Sequence, residues 1–246
     1  MINNSIYASA IGGMMAMKRM EVLANNLANA GTPGFKADRT RETADSSHIS
    51  REEFDPYRLR LKSISDLLSA KTQHSQGAIE TTKGDFDVAI QGEGFFELQT
   101  AKGPVYTRAG AFRADREGKL VSAGGDAVMG EGGPIDTKGG DLTIRSNGEV
   151  VVDGQVADKL KIVAFDDPAT LEKRGGTVFA APQSATSHPA ENYTIVQGAL
   201  EMSNVNPIRT MVELIETNRM FDSAMKAIHT ADEINQRSTT TVGKFK

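Results

Sequence analysis

The chain has 246 residues, a formal net charge of −4 and no cysteine, and 6% of its residues are aromatic. This composition excludes a disulfide scaffold, a thiolate metal site and a cysteine nucleophile. The mild charge argues against a nucleic-acid interface, and no apolar run approaches the roughly 18 residues that suggest a membrane-spanning helix. We therefore expect one or two domains that neither bind nucleic acid nor insert into a membrane.

Residues 1–30 are predicted to form a helix with an apolar seam. Seam residues recur alternately after three and four positions, which is the a/d spacing of a heptad pattern. They are Ile2, Ile6, Ser9, Gly13, Ala16, Met20, Leu23, Leu27 and Ala30. Lys18, Arg19 and Glu21 are the charged residues of this segment, so we expect a helix that contacts partners on most sides. The basic pair follows the apolar stretch instead of preceding it, so we do not expect a cleaved secretory signal.

A second helix is predicted near the C-terminus, with Asn206 as N-cap and Pro207 at its first position. Its seam residues are Met211, Leu214, Asn218, Phe221, Met225, Ile228, Asp232 and Asn235. Because the seam becomes polar after Ile228, we expect the helix to fray before the Ser-Thr-rich residues 238–241. Two heptad helices at opposite ends of one chain favour a coiled-coil-like bundle with other copies. Packing of this helix on its own domain is the alternative.

The middle of the chain changes character twice. Residues 31–62 are polar and extended in pattern, and a short helix with Ile64, Leu67 and Leu68 is expected to follow. From residue 77 to 200 the hydrophobic period becomes two, with hairpin signals at Asn147-Gly148 and Asp153-Gly154. We predict an α+β fold with an antiparallel β domain inserted between terminal helices. The predicted divisions are 1–30, an N-terminal assembly helix; 31–76, a polar connector; 77–203, the β domain; and 204–246, a C-terminal assembly helix and tail.

The sequence offers no catalytic constellation. The four histidines show no metal-binding spacing, and no phosphate-binding loop or nucleophile elbow occurs. Asp85 and Asp87 would share one face of a strand, which is more typical of a solvent face than of an acid/base pair. We therefore predict no enzyme, no cofactor and no metal site.

Several motif blocks resemble the bacterial flagellar rod and hook protein family. The N-terminal block is formed by residues 24–29 (ANNLAN) and 32–35 (TPGF). The central blocks are residues 87–96 (DVAIQGEGFF), 106–112 (YTRAGAF) and 118–121 (GKLV). The C-terminal blocks are residues 200–206 (LEMSNVN) and 211–215 (MVELI). The blocks occur in the order typical of the family and cover most of the chain.

The resemblance implies a structural subunit of the rod, the drive shaft that crosses the periplasm and transmits torque. It implies as partners copies of this chain, neighbouring rod proteins and the flagellar type III export apparatus. The assembly interface that we predict consists of Ile2, Ile6, Gly13, Ala16, Met20, Leu23, Leu27, Met211, Leu214, Asn218, Phe221, Met225 and Ile228.

The position along the rod is less sharply indicated. Residues 128–135 (VMGEGGPI) and 203–207 (SNVNP) resemble the proximal rod protein with one β domain, whereas Phe95-Phe96 and residues 217–219 (TNR) also suit the distal rod protein. Two other classes are alternatives: a β-domain binding module dimerised by its helices, and an enzyme acting on peptidoglycan.

Overall fold

The computed structural model describes residues 2–40 and 70–242. Helix α1 spans Ile2–Ala28 and helix α2 spans Pro207–Val242. The strands are β1 Asp38–Thr40, β2 Ala70–Thr72, β3 Ile79–Thr81, β4 Val88–Gly92, β5 Phe95–Thr100, β6 Gly103–Thr107, β7 Arg113–Ala114, β8 Leu120–Val121, β9 Ala127–Val128, β10 Leu142–Ile144, β11 Glu149–Val152, β12 Gln155–Lys159, β13 Ile162–Phe165, β14 Glu172–Gly175, β15 Val178–Ala180, β16 Ser187–Pro189, β17 Tyr193–Gln197 and β18 Ala199–Glu201. The predicted α+β class is confirmed.

The described residues form two compact units. The helical unit contains residues 2–28, 38–40, 70–71 and 206–242, and the β unit contains residues 29–37 and 72–205. The short helix expected around Ile64, Leu67 and Leu68 lies outside the described residues, as does the central part of the polar connector.

In the helical unit, α1 packs against α2. The contact is close where α1 carries glycine, because a Cβ added at Gly13 would lie 3.8 Å from the Cβ of Ala224. At the end of α1, the Asn26 amide donates to the carbonyl of Asp38 at 2.7 Å and accepts from its backbone N–H at 2.9 Å. Within its described residues, neither helix has a segment long and apolar enough to span a membrane.

The start of α2 agrees with the sequence, and its end does not. Asn206 is the N-cap, since its Oδ1 accepts from the backbone N–H of Arg209 at 3.0 Å. The expected fraying before residue 238 is wrong, because α2 continues to Val242. The first helix-breaking residue in this region is Gly243, and a polar seam does not by itself end a helix.

All strand pairs with a described register in the β unit are antiparallel. The largest sheet has nine strands, with the path β14-β15-β6-β5-β9-β8-β7 and with β13 and β16 attached beside β5. Both predicted hairpins are confirmed, since β10 pairs with β11 and β11 with β12. Asp153 and Gly154 both have positive φ, as a tight hairpin turn requires.

Two hydrophobic cores form on opposite sides of β5, because successive side chains of a strand alternate between the two faces. Phe96 is fully buried in the larger core and packs edge-on against Phe112, with 5.0 Å between ring centroids. Phe95 lies in a smaller aromatic core with Phe165 and Phe179, each 6.0 Å away. The β unit is therefore held from both faces of one central strand.

Candidate assembly surfaces and a buried ion cluster

The predicted seam of α1 lies on its less exposed side. Gly13, Ala16 and Leu23 are buried, and Met20 and Leu27 are half-buried. The side chains of Ile2 and Ile6 lie outside the described part of the chain, although both residues are helical. The opposite side of α1 exposes Met14, Met15 and Met17.

The predicted seam of α2 is divided between two sides of the helix. Leu214, Phe221 and Ile228 are half-buried, whereas Met211, Asn218 and Met225 are exposed. The less exposed side, which we call the inner stripe, has the heptad spacing four and three. It consists of Thr210, Leu214, Thr217, Phe221, Ala224, Ile228 and Ala231. The buried threonine hydroxyls are satisfied within the helix, where each donates to the carbonyl four residues earlier.

A second stripe runs along α2 and is exposed throughout; we call it the outer stripe. It consists of Ile208, Met211, Ile215, Asn218, Asp222 and Met225, again spaced by three and four. Ile208 is 76% exposed and Ile215 is 56% exposed. A helix that leaves this much apolar surface in water presents a contact surface.

The β unit contains a buried cluster of three charged side chains. The Lys36 ammonium lies 2.5 Å from Oε1 of Glu201, and the Arg108 guanidinium donates to Oε2 at 3.1 Å. Lys36 also donates to the carbonyl of Ser75 at 2.7 Å, and Oε1 of Glu201 accepts from the backbone N–H of Gly77 at 3.0 Å. One carboxylate therefore joins two cations and a backbone amide, which we call the ion cluster.

The remaining contacts of Arg108 extend the cluster into β4. Its guanidinium donates to the carbonyls of Ile90 at 3.4 Å and Gly92 at 2.8 Å. It also lies over the ring of Phe95, 5.3 Å from the centroid, where a cation is attracted to the aromatic face. Carbonyl oxygens and one ring thus stabilise the positive charge that a single carboxylate does not balance.

Residues 29–37, which we call the strap, dock on this cluster. Phe35 is buried, and the Lys173 ammonium lies 4.0 Å from the centroid of its ring. The backbone N–H of Gly34 donates to the carbonyl of Glu201 at 2.7 Å, and the N–H of Ala37 donates to Oδ1 of Asn204 at 2.8 Å. The strap is therefore fixed through the side chain of Phe35 and through its backbone N–H groups.

Burial lowers the pKa of the Lys36 ammonium below its ordinary value of 10.5, and the Arg108 charge acts in the same direction against the attraction of Glu201. Burial lowers the pKa of the Arg108 guanidinium as well. Both cations are therefore held in place at a desolvation cost.

The lowered pKa predicts a pH dependence of stability. Between the pKa of folded Lys36 and 10.5, the unfolded chain binds more protons, so the contribution of Lys36 to the unfolding free energy increases with pH. We expect the unfolding free energy of the wild type to rise relative to that of Lys36→Met as the pH approaches 10.5. The slope is at most about 1.4 kcal/mol per pH unit. Urea titrations at a series of pH values measure this slope. Lys102→Met, at an exposed turn, is the control. If the unfolding free energies of the wild type and Lys36→Met changed in parallel with pH, the prediction would be contradicted.

The aspartate and histidine side chains with acid/base chemistry in this region have structural roles. Asp87 accepts from the hydroxyl of Thr82 at 2.6 Å, and Asp85 is exposed, with its carbonyl accepting from Gln197. His74 packs edge-on against Phe95 and Phe179. Among the described residues no group of three or more histidine, aspartate or glutamate side chains could hold a metal ion.

Sequence reasoning missed the ion cluster. Arg108 and Glu201 stand inside the motif blocks quoted above, and Lys36 follows one of them directly. The available signal was a charged residue between large apolar neighbours, as in Leu200-Glu201-Met202. Such a position suggests a buried charge, but it does not identify the partner.

Comparison with known proteins agrees with the motif blocks. Three family models match: "Flagella basal body rod protein" at residues 8–36, "Flagellar hook protein FlgE/F/G D1 domain" at 89–152, and "Flagellar basal body rod FlgEFG protein C-terminal" at 196–241. The flagellar basal-body rod protein FlgF of Caulobacter vibrioides is 30% identical over 99% of this chain and 100% of its own. FlgF of Mesorhizobium japonicum is 29% identical over 98% and 99%. The rod protein FlgG of Buchnera aphidicola from Acyrthosiphon pisum is 32% identical over 95% and 97%.

Proposed function

Since the chain belongs to the flagellar basal-body rod protein family, we propose that it is the FlgF-type subunit of the proximal rod. As a member of this family it is a structural subunit of the rod and is located in the flagellar basal body. The observation that supports the FlgF type is the near-complete alignment with two FlgF relatives, which leaves 2% or less of either sequence unmatched.

A distal subunit of the FlgG type is the second candidate. The 32% identity to FlgG of Buchnera aphidicola favours it, although that alignment omits 5% of this chain. Complementation separates the two: the gene should restore swimming to cells that lack FlgF and should fail in cells that lack FlgG. The reverse result would assign the chain to the distal rod.

We further propose that α1 and α2 of each subunit enter a coiled-coil-like bundle with other subunits. The inner stripe and the seam of α1 suit the pairing of the two helices within one chain. The outer stripe has the same three-and-four spacing and is exposed, as expected of a surface that a second helix covers. A continuing shaft needs such a surface on every subunit, whereas a closed dimer uses its interface once.

We also propose a role for each predicted division of the chain. The ends 1–30 and 204–246 supply assembly, the connector 31–76 joins them to the rest, and the β domain 77–203 stiffens lateral contacts without catalysis. The structural contacts of Asp87 support the absence of an acid/base role. The family resemblance supports three further proposals. The subunit passes through the type III export apparatus, the rod crosses the periplasm, and the rod transmits torque.

The outer stripe is tested with a charge placed on or beside it. Met225→Asp should leave the isolated subunit folded, because Met225 is 39% exposed. It should abolish assembly, because it removes an apolar contact and places a second carboxylate beside Asp222 between subunits. Ser223→Asp is the control, since Ser223 is exposed on the same helix but outside the stripe.

Circular dichroism of the isolated variants and swimming of cells that carry each variant are the two measurements. We expect normal helix content for both variants, loss of motility for Met225→Asp and retention of motility for Ser223→Asp. Normal swimming with Met225→Asp would contradict the role of the outer stripe.

A further inference from the structure

We propose that the ion cluster is a latch, through which the strap docks on the β unit only when Glu201 is in place. The latch acts in the folding of the subunit itself, at either position along the rod. The strap reaches the cluster through Lys36, whose side chain has no exposed surface. Its neighbours Gly34 and Ala37 are held by Glu201 and Asn204, which follow one another closely in the chain.

The charges explain why Glu201 controls docking. Lys36 and Arg108 are two buried cations, and among the described residues Glu201 is the carboxylate in salt-bridge contact with both. Without that carboxylate, docking of the strap would place Lys36 beside Arg108 with no opposite charge in contact. Burying an uncompensated charge is strongly unfavourable, so the undocked strap is then preferred.

Because of the order of these residues along the chain, docking of the strap depends on a complete β unit. Glu201 lies 165 residues after Lys36 and 93 residues after Arg108. It is the last residue of β18, which pairs with β3 and thereby places the carboxylate beside Gly77. The strap therefore closes after the last strand of the β unit has paired, and an incomplete chain keeps it open.

A latch and a merely stabilising ion pair respond differently to substitution. Removing Lys36 leaves one cation and one anion, which is a balanced buried pair. Among the described residues, removing the charge of Glu201 leaves two cations with no anion in contact, and only Glu93 attracts Arg108 from a greater distance. The latch therefore predicts a strongly asymmetric effect of Glu201→Gln and Lys36→Met on the strap, whereas loss of a simple pair would affect the strap equally from either side.

Amide hydrogen exchange of the full-length protein tests this asymmetry. The reporter is the backbone N–H of Ala37 in the strap, and the amides of β5 report on the rest of the β unit. In Glu201→Gln we expect Ala37 to exchange about 100-fold faster or more, with β5 still protected. In Lys36→Met we expect an increase below about ten-fold.

The double variant and a surface control complete the design. Adding Lys36→Met to Glu201→Gln should slow the exchange of Ala37, because it removes one uncompensated cation. Glu131→Gln breaks the exposed pair with Lys159, which measures 3.0 Å, and should leave Ala37 unchanged.

Equal effects of the two single variants, a protected strap in Glu201→Gln, or faster exchange in the double variant than in Glu201→Gln would each overturn the proposal. If Glu201→Gln does not fold, Glu201→Asp is measured instead. Its side chain keeps the negative charge but is one methylene shorter, so the carboxylate lies farther from Lys36 and Arg108. Exchange of Ala37 about ten-fold faster with β5 protected supports the latch, and unchanged exchange overturns it.

Discussion

A chain with Leu23→Asp is expected to lose the pairing of α1 with α2 while its β unit stays folded. Leu23 is 7% exposed on the seam of α1, so the substitution would remove its apolar packing and place a carboxylate in a contact that excludes water. The expected cost is about 3–5 kcal/mol, more than an isolated helix pair withstands. Because the helices carry the proposed assembly surfaces, rod formation and motility should be lost.

Met17→Asp is the matched control for this experiment. Met17 lies on the same helix but is 55% exposed, so the same charge remains in water and helix pairing should survive. Hydrogen exchange resolves the two units, with amides of α2 reporting on the helix pair and amides of β5 on the β unit. If the α2 amides stayed protected in Leu23→Asp, their protection would not depend on pairing with α1, and the prediction would be wrong.

The sequence predicted those elements whose signals are local. The hairpins at Asn147-Gly148 and Asp153-Gly154 and the N-cap Asn206 each depend on residues within a few positions of one another. A turn or cap is determined by backbone geometry and one nearby side chain, so it can be predicted without the fold.

The inner stripe of α2 could be predicted only in part. The large residues Leu214, Phe221 and Ile228 identify one half of it from sequence. The other half contains Thr210 and Thr217, which appear as polar surface positions until their hydroxyls are seen bonded to helix carbonyls. Small residues at these positions permit close helix packing, whereas the more hydrophobic Met211 and Met225 are exposed.

The ion cluster could not be predicted, because its charges come from three distant parts of the chain. Lys36, Arg108 and Glu201 meet only when β18 pairs with β3 and the strap docks beside Glu201. Nothing in the spacing of these residues specifies that meeting. As a consequence, three short motifs that lie far apart in the sequence become one buried contact in the folded β unit.

The strap also depends on Gly34, and replacing it with alanine is expected to have a large effect. Gly34 has φ of +71°, and a Cβ at this position would overlap the backbone N of Ala109, which cannot move aside as a side chain does. Left-handed strain alone costs about 1–2 kcal/mol. With the overlap we expect a total destabilisation of about 3 kcal/mol or more, and an undocked strap.

Gly125→Ala separates the effect of backbone strain from the effect of steric overlap. Gly125 has φ of +89° with no atom within 4 Å of an added Cβ, so it carries the backbone strain without the overlap. Urea unfolding should give a loss of about 1–2 kcal/mol for Gly125→Ala and clearly more for Gly34→Ala. The Ala37 amide should lose protection only in Gly34→Ala, because only there does the strap lose its seat on residues 108–109. Equal losses of stability in the two variants, with Ala37 protected in both, would mean that the strap tolerates displacement at Gly34 and that its docking rests on Phe35 and Lys36 instead.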